Sequence, residues 1–321
     1  MALYLTEADV EKLLDMPTAV RAVEEAFRLL GEEKAGNQPR RRVMAGESVL
    51  HFMAGGAADL GAAGEGATAV KVYTTSKLGV RFTVLLYGND GAPLAVIQAG
   101  RLGQIRTGAA SGVATRHLAR EDSRRVAIIG TGWQARGQLL AIREVRPIER
   151  VRAVGRDEER CRAFCTEMEN ALGVPVEPAS SPQDCVKDAD IVITATKSKD
   201  PVLLGDWLRP GMHVNAIGSN WNNRREMDTP AVLACHRITV DTIEVARLEA
   251  GDLILPIEEG ALSWDGIEEL GAVVSGKRPG RETDDQITLF CSQGLALEDV
   301  VVGRCIHEAA VRQGVGVPFE P

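Results

Sequence analysis

The chain has 321 residues, enough for roughly two domains of about 150 residues each. Its 45% hydrophobic and 26% charged residues are ordinary for a globular protein. A formal net charge of −8 and a pI near 5.3 argue against nucleic acid or an anionic membrane as partner, and no apolar run reaches the roughly 18 residues of a membrane span.

The first nine residues lack the basic region and apolar core of a secretion signal, so a cytoplasmic protein is expected. Cys161, Cys165, Cys185, Cys235, Cys291 and Cys305 form no Cys-x-x-Cys pair and read as reduced thiols. His51, His117, His213, His236 and His307 have no metal-ligand spacing, and no metal site is expected.

Thr6-x-x-Asp9 has the form of a capping box, and Pro17 suits the first turn of a helix. Val20, Val23, Phe27 and Leu30 recur at helical spacing, with Gly31 or Gly36 near the stop. The three arginines of Gln38-Pro39-Arg40-Arg41-Arg42 read as a loop entering a strand. Residues 54–69, rich in Gly and Ala, read as a flexible connection. Val70–Tyr73 is strand-like, with Lys71 and Tyr73 on the face opposite Val70 and Val72. Thr83–Tyr87 and Leu94–Ile97 flank Gly88-Asn89-Asp90-Gly91 as a hairpin, so this part of the chain is expected to be α+β with antiparallel pairing. A helix follows from about Gly103 to Leu118.

Strand and helix then alternate. Val126–Ile129, Val151–Val154, Ile191–Thr194, His213–Ile217 and Ile238–Val240 are the candidate strands, and Asp157–Leu172 is an intervening helix. Such alternation implies a doubly wound parallel sheet. The strand Val126–Ile129 breaks into Gly130-Thr131-Gly132-Trp133-Gln134-Ala135 and continues as a helix, the context that binds a dinucleotide pyrophosphate. Gly130 permits the tight turn, Gly132 the approach of the phosphates, and Ala135 close helix–strand contact. The helix amino terminus offers free N–H groups to the anion. The next strand ends in Gly155-Arg156-Asp157. Arg156 can take a ribose 2′-phosphate, which favours NADP(H) over NAD(H); the alternative is that Asp157 takes the ribose. Glu298–Gln313 is a final amphipathic helix.

The arginine run, Lys71 within an apolar strand, and Arg106-Thr107 suggest an anionic small-molecule site. Arginines grip carboxylates bidentately, and a desolvated lysine exchanges protons near neutrality. The alternative for each is a solvated or snorkelling side chain.

The chain resembles the ornithine cyclodeaminase/mu-crystallin family nearly end to end. The resemblance is carried by residues 38–42, 70–73, 105–110, 129–135, 189–196, 208–219, 225–228 and 288–294. It implies a Rossmann-type nucleotide domain at 119–294 and a discontinuous substrate-binding and dimerisation domain at 1–118 and 295–321, with a homodimer as the assembly. It also implies that Arg41 and Arg106 grip a substrate carboxylate while Lys71 handles the proton. Thr83, Arg106, Thr107, Gly130, Thr131, Gly132, Trp133, Gln134, Gly155, Arg156, Asp157, Thr194, Thr196, Ser219 and Ser292 would line the dinucleotide. Trp133 and Trp221 either cover the nicotinamide or pack.

Two departures bear on activity. Asn220 stands where the cyclodeaminases carry an aspartate, and an amide is no general base. His51 stands where they carry a glutamate, and either orients substrate or sits at a strand edge. Reduction of a C=N bond next to a carboxylate, as in a cyclic ketimine, is therefore the expected reaction, on a small imino or amino acid. The alternatives are an alanine-type dehydrogenase, ornithine cyclisation, and a non-catalytic NADP-binding protein.

Overall fold

The computed structural model describes residues 2–61, 64–77 and 79–320. The chain divides into two compact units: Met1–Ala110 with Gly294–Pro321, and Ser111–Gln293.

The first unit opens with β1 (Ala2–Leu5), α1 (Glu7–Leu13) and α2 (Met16–Gly31), followed by β2 (Ala35–Ala45), β3 (Ser48–Asp59), β4 (Glu65–Ser76), β5 (Gly79–Gly88) and β6 (Pro93–Gln98). Helix α3 (Gly100–Leu118) comes next, and the division between the units falls inside it. Thr6 and Asp9 form the reciprocal capping box, and Asp15 caps α2 ahead of Pro17. The seven-stranded sheet runs β15-β1-β6-β5-β4-β3-β2, where β15 is Val317–Phe319. Pairing from β2 to β6 is antiparallel; β1 joins β6 in parallel.

The Gly/Ala-rich stretch is not a flexible connection. Its residues 54–59 and 65–69 belong to β3 and β4, paired across from Ala54–Val70 to Asp59–Glu65; residues 62 and 63 lie outside the described residues. Its small side chains serve close backbone approach. A Cβ on Gly55 would fall 2.7 Å from the backbone nitrogen of Leu297, and one on Gly66 2.1 Å from the Ala58 carbonyl. Helix α11 (Ala296–Gln313) packs on β2–β6 and on α2, burying Val300, Val301, Val302 and Ile306. Gln38–Arg42 also lies inside a strand, β2, with a register shift between Gln38 and Arg41.

The second unit alternates as expected: β7 (Arg125–Ile129), α4 (Trp133–Val145), β8 (Arg150–Val154), α5 (Glu158–Leu172), β9 (Val176–Pro178), α6 (Pro182–Val186), β10 (Ile191–Thr194) and β11 (His213–Ala216). Then come α7 (Thr229–Leu233), β12 (Arg237–Val240), α8 (Ile243–Glu249), α9 (Gly251–Glu258), β13 (Ile267–Glu269), α10 (Leu270–Val274) and β14 (Thr288–Cys291). The eight strands are parallel in the order β13-β12-β14-β11-β10-β7-β8-β9. Alternate residues of one strand feed opposite cores: Ala127 and Ile129 on one face, Val126 and Ile128 on the other. A sheet covered on both faces needs such continuous apolar runs. Among the described residues no helix is long and apolar enough to cross a membrane.

Candidate functional site

Strand order reverses around β7, with β8 on one side and β10 on the other. In open parallel sheets that reversal opens a crevice at the carboxyl ends of the strands, where dinucleotides sit. Gly130 ends β7 at φ +108, and a Cβ there would meet the Ala195 carbonyl at 2.5 Å. Gly132 is the N-cap of α4, makes no side-chain cap bond, and has no atom within 4 Å of a notional Cβ. Open space above an uncapped helix start is what a pyrophosphate requires, so these residues fit a dinucleotide. Trp133 is exposed.

The same edge gathers the other nucleotide candidates of this unit. Gly155 abuts Thr131, where a Cβ would lie 2.6 Å from Oγ1. Arg156 is exposed, whereas Asp157 caps α5 by accepting from the Arg160 N–H at 3.0 Å. Ser292 donates to Asp241 at 3.0 Å, Ser219 is buried, and Asn220 is half-buried.

Sequence reasoning missed the group that ties these loops together. Glu226, fully buried, accepts from the Thr194 hydroxyl at 2.9 Å and from the N–H groups of Thr196 and Gly218 at 2.6 and 2.7 Å. Its own N–H and that of Met227 donate to Asp252 at 2.7 and 2.8 Å. Burial, then the Asp252 charge, pushes the Glu226 carboxyl up to about 7. Its signal in the sequence was one of the two acids in Arg225–Asp228, with nothing to show its burial. A cavity of about 230 Å³ lies at the opposite, amino-terminal edge of the sheet. Its Arg120, Arg125 and Arg209 already pair with Asp190 or Asp188, so it is not the nucleotide site.

The first unit gathers a second set of residues. Met53 pairs with Lys71 and Lys71 with Val84, so these three share one face of the sheet, together with His51 and Tyr73. Lys71 Nζ donates to Asp299 Oδ1 at 2.7 Å, with both side chains buried. Arg106 NH1 bonds Glu298 Oε2 at 2.9 Å, and its Nε lies 3.4 Å from Asp299 Oδ1. Glu298 also accepts the Leu295 N–H at 3.0 Å, and Asn37 accepts those of Ala296 and Leu297, which fixes the start of α11. Glycines make the room. A Cβ on Gly294 would fall 2.4 Å from Arg106, and one on Gly103 3.3 Å from the Lys71 amine.

Desolvation, then the nearby Arg106 charge, lowers Lys71 to about 8 against the pull of Asp299. His51 stacks on Tyr73 at 4.3 Å and is held neutral, lowered to about 4 by burial and by Arg42 and Arg40.

Two placements differ from expectation. The arginine that faces Lys71 is Arg40, buried and donating to Met53 Sδ at 3.7 Å. Arg41 is exposed and pairs with Phe52, in the row that continues through Val72 to Thr83. The cause is the extra residue in β2 between Gln38 and Arg41, which shifts side-chain alternation by one. Thr83 is therefore on the face away from Lys71, and the Thr107 hydroxyl bonds back to the Gly103 carbonyl at 2.7 Å. The other missed residues are Asp299 and Glu298, which appeared only as the acidic first turn of a helix.

The sequence pattern of the ornithine cyclodeaminase/mu-crystallin family matches residues 2–314. The chain belongs to this family. Among family members, the Delta(1)-pyrroline-2-carboxylate reductase of Bacillus cereus is 42% identical over 231 residues, 72% of this chain and 71% of that protein. The Delta(1)-pyrroline-2-carboxylate reductase of Thermococcus litoralis, solved with NADH and L-proline, superposes with TM-score 0.93 at 36% identity, covering 99% of this chain and 100% of that one. An archaeal alanine dehydrogenase, a dimer with bound NAD, superposes with TM-score 0.92 at 31% identity, covering 99% of both chains.

Proposed function

We propose that this chain is a nicotinamide-dependent oxidoreductase that reduces a C=N bond next to a carboxylate, with cyclic ketimines such as pyrroline-2-carboxylate and piperideine-2-carboxylate as substrates. The observation that carries the reading is the buried Lys71 amine, lowered to about 8, with Asp299 on one side and the guanidiniums of Arg106 and Arg40 nearby. Lys71, Arg106 and Arg40 lie together with Glu298 and Asp299, and their cationic groups suit a substrate carboxylate.

The bound nicotinamide supplies the hydride. Arg106 and Arg40 fix the carboxylate and thereby aim the imine carbon, an effect of position more than of bond strength. Protonated Lys71 gives its proton to the ring nitrogen as the carbon accepts hydride, so C=N becomes CH–NH. An amine lowered to about 8 is largely protonated at neutral pH yet gives up its proton readily. Neutral His51 lies on the same face and orients the substrate from beside Tyr73. Asn220 offers an amide in place of a base, consistent with reduction without cyclisation.

The same reading includes a preference for NADPH, supported by Arg156 standing exposed while Asp157 caps α5. It includes a homodimer, supported by the exposed apolar Val43, Met44, Leu50, Phe52 and Val80 on strands β2, β3 and β5. Six free cysteines, five of them buried, suit a reducing cytoplasm.

The test is NAD(P)H oxidation with the two ketimines, for wild type and Lys71→Ala. Loss of about 10²- to 10⁴-fold in kcat with cofactor binding retained is expected; unchanged kcat contradicts the assignment. An amino-acid dehydrogenase is the second reading, favoured by the likeness to the archaeal alanine dehydrogenase. Turnover of pyruvate only when ammonia is present would select it.

A further inference from the structure

Lys71 is enclosed by groups from five other elements, and among the described residues the negative charge bonded to its amine is that of Asp299. Asp299 on α11 accepts the Nζ proton at 2.7 Å, and the same Oδ1 lies 3.4 Å from Arg106 Nε on α3. Arg40 on β2 adds a second cation, Glu298 on α11 pairs with Arg106, and His51 on β3 is held neutral. Tyr73 shares the sheet face, and the Phe82 ring lies 5.3 Å from Nζ. Gly103 on α3 leaves room beside Nζ, since a Cβ there would stand 3.3 Å away. The second oxygen, Asp299 Oδ2, is buried with no hydrogen-bond partner among the described residues, so Oδ1 provides the carboxylate's bonds within the fold.

From this geometry we infer that Asp299 is a positioning residue for proton transfer: it anchors the Lys71 ammonium and sets the pH at which that ammonium gives up its proton. The inference rests on the reductase reading and deepens it. Without Asp299 the amine would keep its two cationic neighbours and its burial, all of which disfavour the charged form. With the carboxylate present, the ammonium persists through neutral pH while remaining acidic enough to donate. Burial, Arg106 and Arg40 lower the amine and Asp299 raises it, which leaves it at about 8.

The sign follows directly. Reduction needs protonated Lys71, so its rate falls on the alkaline side as the amine deprotonates. Replacing the carboxylate by an amide of equal size removes the one favourable charge in contact with the amine, and the alkaline limb moves to lower pH. In the opposite direction the acid limb of amine oxidation moves the same way.

The experiment measures the pH dependence of ketimine reduction in wild type and Asp299→Asn, together with the titration of the Lys71 ε-carbon NMR signal, assigned by its loss in Lys71→Arg. In Asp299→Asn both the limb and the NMR midpoint are expected to fall by at least about one pH unit, a tenfold change in the proton equilibrium. A limb and midpoint that coincide with wild type overturn the inference. If Asp299→Asn does not fold, Asp299→Glu decides: it keeps the charge, so a reduced kcat with the wild-type midpoint supports the role, and a lowered midpoint overturns it. Wild type inactive on every imine would refute the reductase reading, while the NMR titration would still judge Asp299.

Discussion

Both units bury carboxylates; apart from Asp190 of the second unit, which pairs with Arg120 and Arg125, those near the two candidate sites are held in different ways. In the second unit Glu226 and Asp252 are held by backbone N–H groups and a hydroxyl, all neutral donors. In the first unit Glu298 and Asp299 are paired with the cations Arg106 and Lys71. The first arrangement fixes the loops proposed to surround a dinucleotide without placing a counter-charge beside them. The second sets opposite charges in contact, which suits the proposed site that must both hold an anion and move a proton. Buried ion pairs rarely improve stability over apolar packing. Their presence in the first unit is therefore better explained by chemistry than by folding.

Perturbing each side separately sharpens that contrast. The largest effect is expected in the first unit. Arg106→Ala leaves Glu298 buried without its cation, which should cost about 3–5 kcal/mol of stability in denaturant unfolding as well as activity. Arg40→Ala and Arg41→Ala form the companion pair. The side chain facing Lys71 should matter more, with kcat/KM for the ketimine falling about tenfold or more for Arg40 and little for Arg41. A larger loss for Arg41 would restore the arginine that family resemblance suggests.

In the second unit, Gly132→Val fills the open space above the α4 start. It should weaken NADPH binding by roughly ten- to a hundredfold, about 1.4–2.8 kcal/mol, with little change in melting temperature. Equal losses of binding and stability would mean that Gly132 serves the fold. The smallest effect is expected at the exposed Arg156: Arg156→Ala should lower the NADPH-to-NADH preference by about tenfold or less, read from the ratio of kcat/KM values. An unchanged ratio would return the ribose to Asp157 or to NADH.

The two units were also unequally legible. The central strands β7 and β10 of the second unit are apolar runs buried on both faces, and the glycines after β7 are required by local backbone geometry, so both could be read from short segments, whereas the short edge strands β9 and β13, with their exposed or half-buried polar residues, could not. In the first unit, 54–69 looked flexible because its glycines and alanines carry no period. Gly66 must be small because of the Ala58 carbonyl across the sheet, and Gly55 because of the backbone of α11, more than 200 residues away in sequence. Asp299 was hidden for the same reason, since its partner Lys71 lies 228 positions earlier. The side-chain alternation that separates Arg40 from Arg41 depends on a β-bulge, which three consecutive arginines give no means of placing.

The most direct test of the proposed carboxylate site compares wild-type NADPH oxidation with 1-pyrroline-2-carboxylate and with 1-pyrroline, the same ring without the carboxylate. A buried charge contact is worth about 2–5 kcal/mol, so kcat/KM should fall by roughly 30-fold or more when the carboxylate is absent. Equal turnover of the two imines would contradict the assignment of Arg106 and Arg40 to an anionic substrate.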